Sequence, residues 1–315
     1  MIAGDIPDIP EYVDVASIRV HAPTAVVIVC GGKTQIDHKV AITSLRDAFM
    51  RIAPNSNLSK YDIRRAEDIV QLPHELYDDL LQFESDIAQI SELVLLFTES
   101  EGSFAELGAF SMDAEISSKL LVVVDKYNYQ KDSFIRLGPL NFLETKNGEH
   151  SVCVIDLIDF GSERIENVSN LNLAAFEKFI EDKIVIRLIG AHEPRTFRKN
   201  RNGHLIKLMT GLVQHYGALT FDEIDTLMFC LEIDIDKIMI KKLLKCAELF
   251  QWIKADKVGI KTFYAAIAQR SAINYDFMTG VGKKNKAKLR SDIREFWKEN
   301  DLDRFKCISD AALGV

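Results

Sequence analysis

Residues 93–111 read LVLLFTESEGSFAELGAFS, and the fold of the N-terminal half turns on how that stretch is parsed. Leu93–Phe97 is an unbroken apolar run, the pattern of a strand buried on both faces of a parallel sheet. Thr98 to Gly102 is a polar turn, and from Ser103 onward Phe104, Leu107, Ala109 and Phe110 take up helical spacing. Strand, tight turn and helix form the unit of an open α/β sheet, whose ligands bind beyond the carboxyl ends of the strands. Glu99, Glu101 and Glu106 crowd this turn, and Glu106 is the candidate catalytic residue. Ser103-x-x-Glu106 also has the spacing of a capping box, with the glutamate bonding back to the N-cap amide. The two readings are compatible. A carboxylate fixed in a first helical turn is stabilised as an anion by the helix dipole, which suits a nucleophile better than a general acid.

The rest of the chain continues the alternation. Thr24–Cys30 (TAVVIVC) is β-branched and apolar, a first core strand ended by Gly31-Gly32, after an irregular lead-in over residues 1–23. A helix follows through about Arg51. Gly31-Gly32 reads either as a strand-ending turn or as a place where backbone closely approaches a ribose or phosphate. Gly32-Lys33-Thr34 is no P-loop, because Val27 stands where that motif needs its first glycine. Tyr61–Arg65 forms a short second strand with Glu67-Asp68 at its end. Leu72, Leu76, Leu80, Phe83 and Ile87 then make one helical stripe, with Pro73 near its start. Asp78, Asp79, Glu84 and Asp86 lie off that stripe and read as a solvated face, Asp86 being singled out because it precedes the key strand. Lys119–Asp125 and Ser151–Ile158 supply further strands, with a short amphipathic piece around Gly138-Pro139 between them. The expected fold class is a flavodoxin-like, doubly wound, parallel five-stranded sheet over residues 1–160. That strand order brings Gly31-Gly32 beside Glu106.

After residue 160 the pattern turns helical. Residues 161–203 read as a helical linker closing on the basic segment EPRTFRKNRNG, and 204–270 as three helices followed by a two-stranded ribbon. That is the layout of a winged helix. Lys241, Lys242 and Lys245 on its third helix and Lys257 on its ribbon are candidate phosphate or partner contacts. A basic helical tail over 271–315 adds Lys283, Lys284, Lys286 and Lys288, with Phe296-Trp297 beyond. The bland alternative is a protein-contact module with solvated lysines, since Asp234, Asp236, Glu248 and Asp256 are interspersed.

Length and composition fit one large or two ordinary globular domains. A net charge of −8 gives no global pull toward nucleic acid, so any such contact is a local patch. The five cysteines are widely spaced, and no CxxC or Cys/His cluster points to zinc or a disulfide framework, so no metal is expected. The first residues lack a basic and apolar leader pattern and no apolar run reaches the length of a membrane span, so the expected location is cytoplasmic.

The motif ESxGSxxELGAFS after an apolar strand resembles the nucleoside deoxyribosyltransferase-like effectors encoded beside retron reverse transcriptases. The similarity extends to VVIVCGG (26–32), the Glu67-Asp68 pair, KLLVVVD (119–125) and SFIRLGPL (133–140), and covers roughly the first 155 residues. It implies a toxic effector whose carboxylate nucleophile, Glu106, cleaves an N-glycosidic bond. Gly31, Gly32, Glu67, Asp68, Asp86, Glu99 and Ser103 would then bind the substrate. NAD+ is the first substrate it implies and a purine nucleotide such as dATP or ATP the second, with no separate cofactor. Nicotinamide leaves NAD+ as a neutral group, whereas adenine needs a general acid, for which Glu99, Asp68 and Asp86 are the candidates. The resemblance further implies restraint by the reverse transcriptase and its branched RNA–DNA product (msDNA), and a homo-oligomer or higher assembly. No counterpart of the transferases' carboxyl-terminal site residues stands near Ser151–Phe160. A different class of function, a nucleotide sensor controlling a DNA-binding winged helix without catalysis, shares the same layout.

Overall fold

The computed structural model describes residues 2–4, 8–35, 37, 39–69, 77, 80–165, 167–189, 194–267, 270–280 and 285–313. Leu72, Pro73, Leu76, Asp78, Asp79, Lys283 and Lys284 lie outside the described residues. The chain forms two compact units. One runs from Ala25 to His192 apart from a short segment around Tyr77; the other joins Met1–Thr24, that segment and Glu193–Val315.

The first unit is an α/β sheet domain with β1 (Val26–Cys30), α1 (Leu45–Ile52), β2 (Asp62–Arg65), α2 (Leu80–Ile90), β3 (Leu93–Phe97), α3 (Glu101–Met112), β4 (Leu120–Asp125), α4 (Asn141–Asn147), β5 (Val152–Ile155) and α5 (Leu173–Leu188). The five strands are parallel in the order β2-β1-β3-β4-β5, with Val27 opposite Leu93 and Cys30 opposite Leu96. β1, β3 and β4 are buried along their whole length, which is why they appear in the sequence as apolar runs without alternation. One face, carrying Val27, Val29, Leu95, Phe97 and Val123, packs on Leu45, Phe49 and Ile52 of α1 and Phe176, Ile180 and Ile184 of α5. On the other, Ile28, Cys30 and Val94 meet Ile87 and Ala88 of α2 and Phe110 of α3. Helix α5 is therefore part of this domain's core rather than a linker, because its apolar stripe needs the sheet face to bury it. The carboxyl end of α2 is closed by Lys119, whose buried ammonium donates to the carbonyls of Ala88, Gln89 and Ser91 at 3.0, 2.7 and 2.7 Å.

Helix α3 begins one turn earlier than its spacing implies. Ser100 is the N-cap in extended backbone, its hydroxyl accepting from Ser103 N at 3.2 Å while Ser103 Oγ accepts from Ser100 N at 2.9 Å. A pair of serines thus forms the capping box expected of Ser103 and Glu106. The short Ser103 side chain reaches the N-cap amide, so Glu106 falls in the second helical turn, where the dipole's influence has faded.

The second unit contains α6 (Asn202–Tyr216), β6 (Ala218–Thr220), α7 (Phe221–Cys230), α8 (Lys237–Leu249), β7 (Ile253–Val258), β8 (Lys261–Ala266), α9 (Lys286–Asn300) and α10 (Leu302–Leu313). β8 pairs antiparallel with both β7 and β6. Thr220 and Glu223 form a capping box at the start of α7. Arg304 of α10 donates to both Glu223 oxygens, at 3.0 and 2.6 Å, with its guanidinium 4.0 Å from the Trp297 ring centroid. The lead-in expected over residues 1–23 is irregular in its described part, yet tied to later segments. Arg19–Val20 pairs with Ile273–Asn274 on one side and Arg195–Thr196 on the other, and Val13 bridges Phe277. Strands of two residues carry no periodicity, so this association was invisible in the sequence. No helix among the described residues is long and apolar enough to cross a membrane.

Candidate active site

Because β1 and β3 are neighbours, the turns that leave Cys30 and Phe97 emerge side by side beyond the carboxyl edge of the sheet. Gly31 has φ +136°, and a Cβ there would stand 2.7 Å from the Phe97 carbonyl oxygen. Only glycine fits that approach.

Glu99 is enclosed in this turn. Its carboxylate accepts from Gly32 N at 3.1 Å and from the first two amides of α1, Leu45 N at 2.6 Å and Arg46 N at 3.0 Å. Burial pushes the Glu99 carboxyl above its ordinary range, while these three N–H groups work the other way. Glu99 is thus the acceptor that closes the amino end of α1. Ser103 is buried and engaged in the serine box. Glu101 is exposed. The three glutamates that cluster in sequence do not converge.

Arg46, which sequence analysis passed over, is buried at the centre. Its guanidinium donates to Val29 O at 2.7 Å, to Gly32 O at 3.3 Å and to both oxygens of Glu67. Glu67 stands on the helical turn Ala66–Ile69 that follows β2, its side chain 61% exposed. Burial works to raise Glu67, and the Arg46 guanidinium overrides it and holds the carboxyl below its ordinary value. Asp68 is gripped by Arg65, which lowers it likewise. A carboxyl held ionised is a poor proton donor, which counts against Asp68 as the general acid. Asp86 is buried on α2.

Glu106 differs from all of these. It is half-buried, and its Oε2 is shielded from solvent without a hydrogen-bond partner among the described residues. Burial raises its carboxyl, Glu67 adds to the rise, and Arg46 opposes it. Its charge reaches Cys30, whose thiol burial already pushes up, and Glu84 on α2. Burial first, and then Glu106, carry the Glu84 carboxyl up to about 7. Burial thus raises both carboxyls, and the Glu106 charge adds to the rise at Glu84.

Glu84 was read from sequence as part of a solvated face. The signal that could have found it is its spacing from Ile87 and Ala88, three and four residues on, which with Glu84 line an apolar cavity beneath β1 and β3.

In the second unit the candidate lysines scatter. Lys241 and Lys242 lie over the rings of Phe221 and Tyr77, and Lys245 pairs with Glu248 at 3.0 Å. Lys257 and Lys288 are exposed, and Lys286 donates to Asn274 Oδ1 and Tyr275 O.

The family described as STM3845 retron effector protein matches residues 42–255. Residues of this chain are 34% identical over 101 positions to the "Retron Ec86 putative ribosyltransferase/DNA-binding protein" of Escherichia coli, covering 29% of this chain and 33% of that protein. The Retron Ec73 protein of the same description and organism is 30% identical over 91 positions, covering 29% of each chain. The match thus spans about a third of the length of these curated relatives.

Proposed function

We propose a function that starts from one fact: this chain belongs to the STM3845 retron effector family. Our reading is that the effector acts as an N-glycosidase. Glu106 attacks C1′ of a nucleotide as the C1′–N bond breaks, forming a glycosyl ester that water then opens. Glu84 is the proton source when the leaving group is a purine ring nitrogen, and on ester hydrolysis it takes a proton back from the attacking water. When the leaving group is the nicotinamide of NAD+, the base departs neutral and the Glu106 carboxylate suffices. NAD+ is the substrate we favour, with purine nucleotides second.

The observation that carries this reading is the contrast between Glu106, whose buried Oε2 lacks a hydrogen-bond partner among the described residues, and Glu84, whose carboxyl is pushed up to about 7. The word ribosyltransferase in the names of the two Escherichia coli relatives accords with chemistry at C1′. We further read the β2-β1-β3-β4-β5 sheet as flavodoxin-like and α6–α8 with the β6-β8-β7 sheet as a winged helix. In this proposal that second unit contacts the reverse transcriptase–msDNA complex, which holds a cytoplasmic, self-associating effector inactive.

Metabolite profiling after induction of the wild type and Glu106→Gln, each with and without the partner genes, tests the proposal. Loss of NAD+ with release of nicotinamide, in the wild type alone, is the expected result. Free adenine with NAD+ spared moves the substrate to purine nucleotides. Unchanged pools under phage challenge with the whole locus present would refute the glycosidase.

A further inference from the structure

The second unit contains a cavity of about 220 Å³ that glycosidase chemistry does not use. Its lining includes His21, His215, Asn274, Tyr275, Lys286 and Arg290. The strand residue Ile273 and helix α6 form one wall, packed so closely that a Cβ on Gly211 would lie 2.6 Å from the Ile273 side chain. Lys286 is anchored at another edge by Asn274 Oδ1 and the Tyr275 carbonyl, with its ammonium 4.3 Å from the Tyr275 ring centroid. Tyr12 fixes His215 through a 2.7 Å hydrogen bond to its Nε2.

Positive charge converges here from separate elements. Arg290 of α9 acts on His215, Tyr275 and Lys286, while Arg270 and Lys207 act on His21. Both imidazoles are held neutral, chiefly by burial and then by these neighbouring cations. Asp276 answers part of this charge, acting on Lys286 from an exposed position. Arg290 is exposed and forms no ion pair among the described residues, and the buried Nδ1 of His21 has no hydrogen-bond partner there. A recess in which cations repel one another, with an unanswered imidazole nitrogen in its wall, is completed by an anion. Asn274, Lys286 and Arg290 line the recess together, and the ammonium and guanidinium offer several N–H donors to the oxygens of one phosphate group.

We propose that this cavity receives a single terminal phosphate, carried either by a free nucleotide or by the 5′ end of a nucleic-acid strand. The inference is independent of the glycosidase reading, since it concerns a different unit and needs no turnover.

Calorimetry of the full chain with inorganic phosphate, with chloride as control, tests it. Wild type and Lys298→Ala, which removes an exposed cation from the same helix, are expected to bind phosphate saturably. Arg290→Ala and Lys286→Gln are each expected to weaken binding by about tenfold. Fluorescence polarisation then separates the sources. Preference for a 5′-phosphorylated over a 5′-hydroxyl single-stranded oligonucleotide, lost in Arg290→Ala, identifies a strand end. Competition by a nucleoside monophosphate, without preference between the two oligonucleotides, identifies a free nucleotide. Absence of saturable phosphate binding, or wild-type affinity in both Arg290→Ala and Lys286→Gln, overturns the proposal.

Discussion

Gly32 and Glu99 are matched to each other: the Gly32 amide donates to Glu99 Oε1 at 3.1 Å, and a Cβ on Gly32 would stand 2.8 Å from that same oxygen. The pair joins the turn after β1 to the turn after β3, and the same carboxylate closes the amino end of α1. The position and capping of three elements thus depend on one enclosed anion.

Gly32→Ala drives a methyl into that carboxylate, which has no room to retreat because its other oxygen is bonded to Leu45 N at 2.6 Å. We expect a loss of about 2 kcal/mol in urea-induced unfolding. Unfolding at the wild-type urea midpoint would contradict this.

Glu99→Gln keeps the shape and turns one acceptor into a donor that faces amide N–H groups. The expected cost is about 2–3 kcal/mol, the penalty of leaving buried amides unpaired. If instead Glu99 served as a proton donor, Gln would spare stability and abolish activity. Denaturation and turnover measured on the same preparation distinguish the two.

Glu84 makes stability depend on pH in a defined direction. In the folded chain it takes up its proton at about 7, against 4.5 for an ordinary glutamate. Between those values the folded state binds more protons than the unfolded one, so stability falls as pH rises from 4.5 to 7. Glu84→Gln removes that slope, and the wild-type-minus-variant difference between pH 5 and pH 8 is expected to be on the order of 1–3 kcal/mol. Parallel stability–pH curves for the two proteins would show that Glu84 titrates normally.

The link between Glu84 and Glu106 has its own signature. In Glu106→Gln the neighbouring charge is gone, so the Glu84 proton affinity falls toward the ordinary glutamate value. Carboxyl carbon NMR titration of wild type and variant reads this directly. An unmoved Glu84 titration would mean that the two groups do not sense each other.

Arg46→Met removes the cation that holds Glu67 and pulls Glu106 down. We expect a loss of about 3 kcal/mol, because the carbonyls of Val29 and Gly32 lose their buried donor. The Glu106 titration moves upward, so any activity that needs its anion loses its acid limb at a higher pH. Carboxyl NMR on folded Arg46→Met checks the direction.

The sheet was legible because β1, β3 and β4 are buried on both faces and therefore uniformly apolar, and because Gly31 marks where β1 must turn. The site was legible only in part. Glu106 stands in a motif, but its helical position was misjudged, since a serine hydroxyl serves at N3 as well as a glutamate does. Arg46 and Glu84 were missed for one physical reason: a charged residue on a helix reads as solvated unless something shows that its face is covered. What covers them, the carbonyl edge of β1 and the apolar cavity beneath it, is contributed by distant segments. The association of Arg19–Val20 with Ile273–Asn274 is likewise a property of tertiary pairing, not of local pattern.

That last pairing sets an order of events on the ribosome. Val20 is made about 250 residues before its partner Ile273. At typical synthesis rates this edge of the strand therefore waits on the order of 10–50 s for its partner, later than the Arg195–Thr196 edge. Throughout that interval the whole of the sheet unit, which lies between the two in sequence, has already been delivered and is free to fold. A nascent chain halted just before residue 273 would thus present a finished sheet unit and an Arg19–Val20 strand that has Arg195–Thr196 on one side and an open edge on the other.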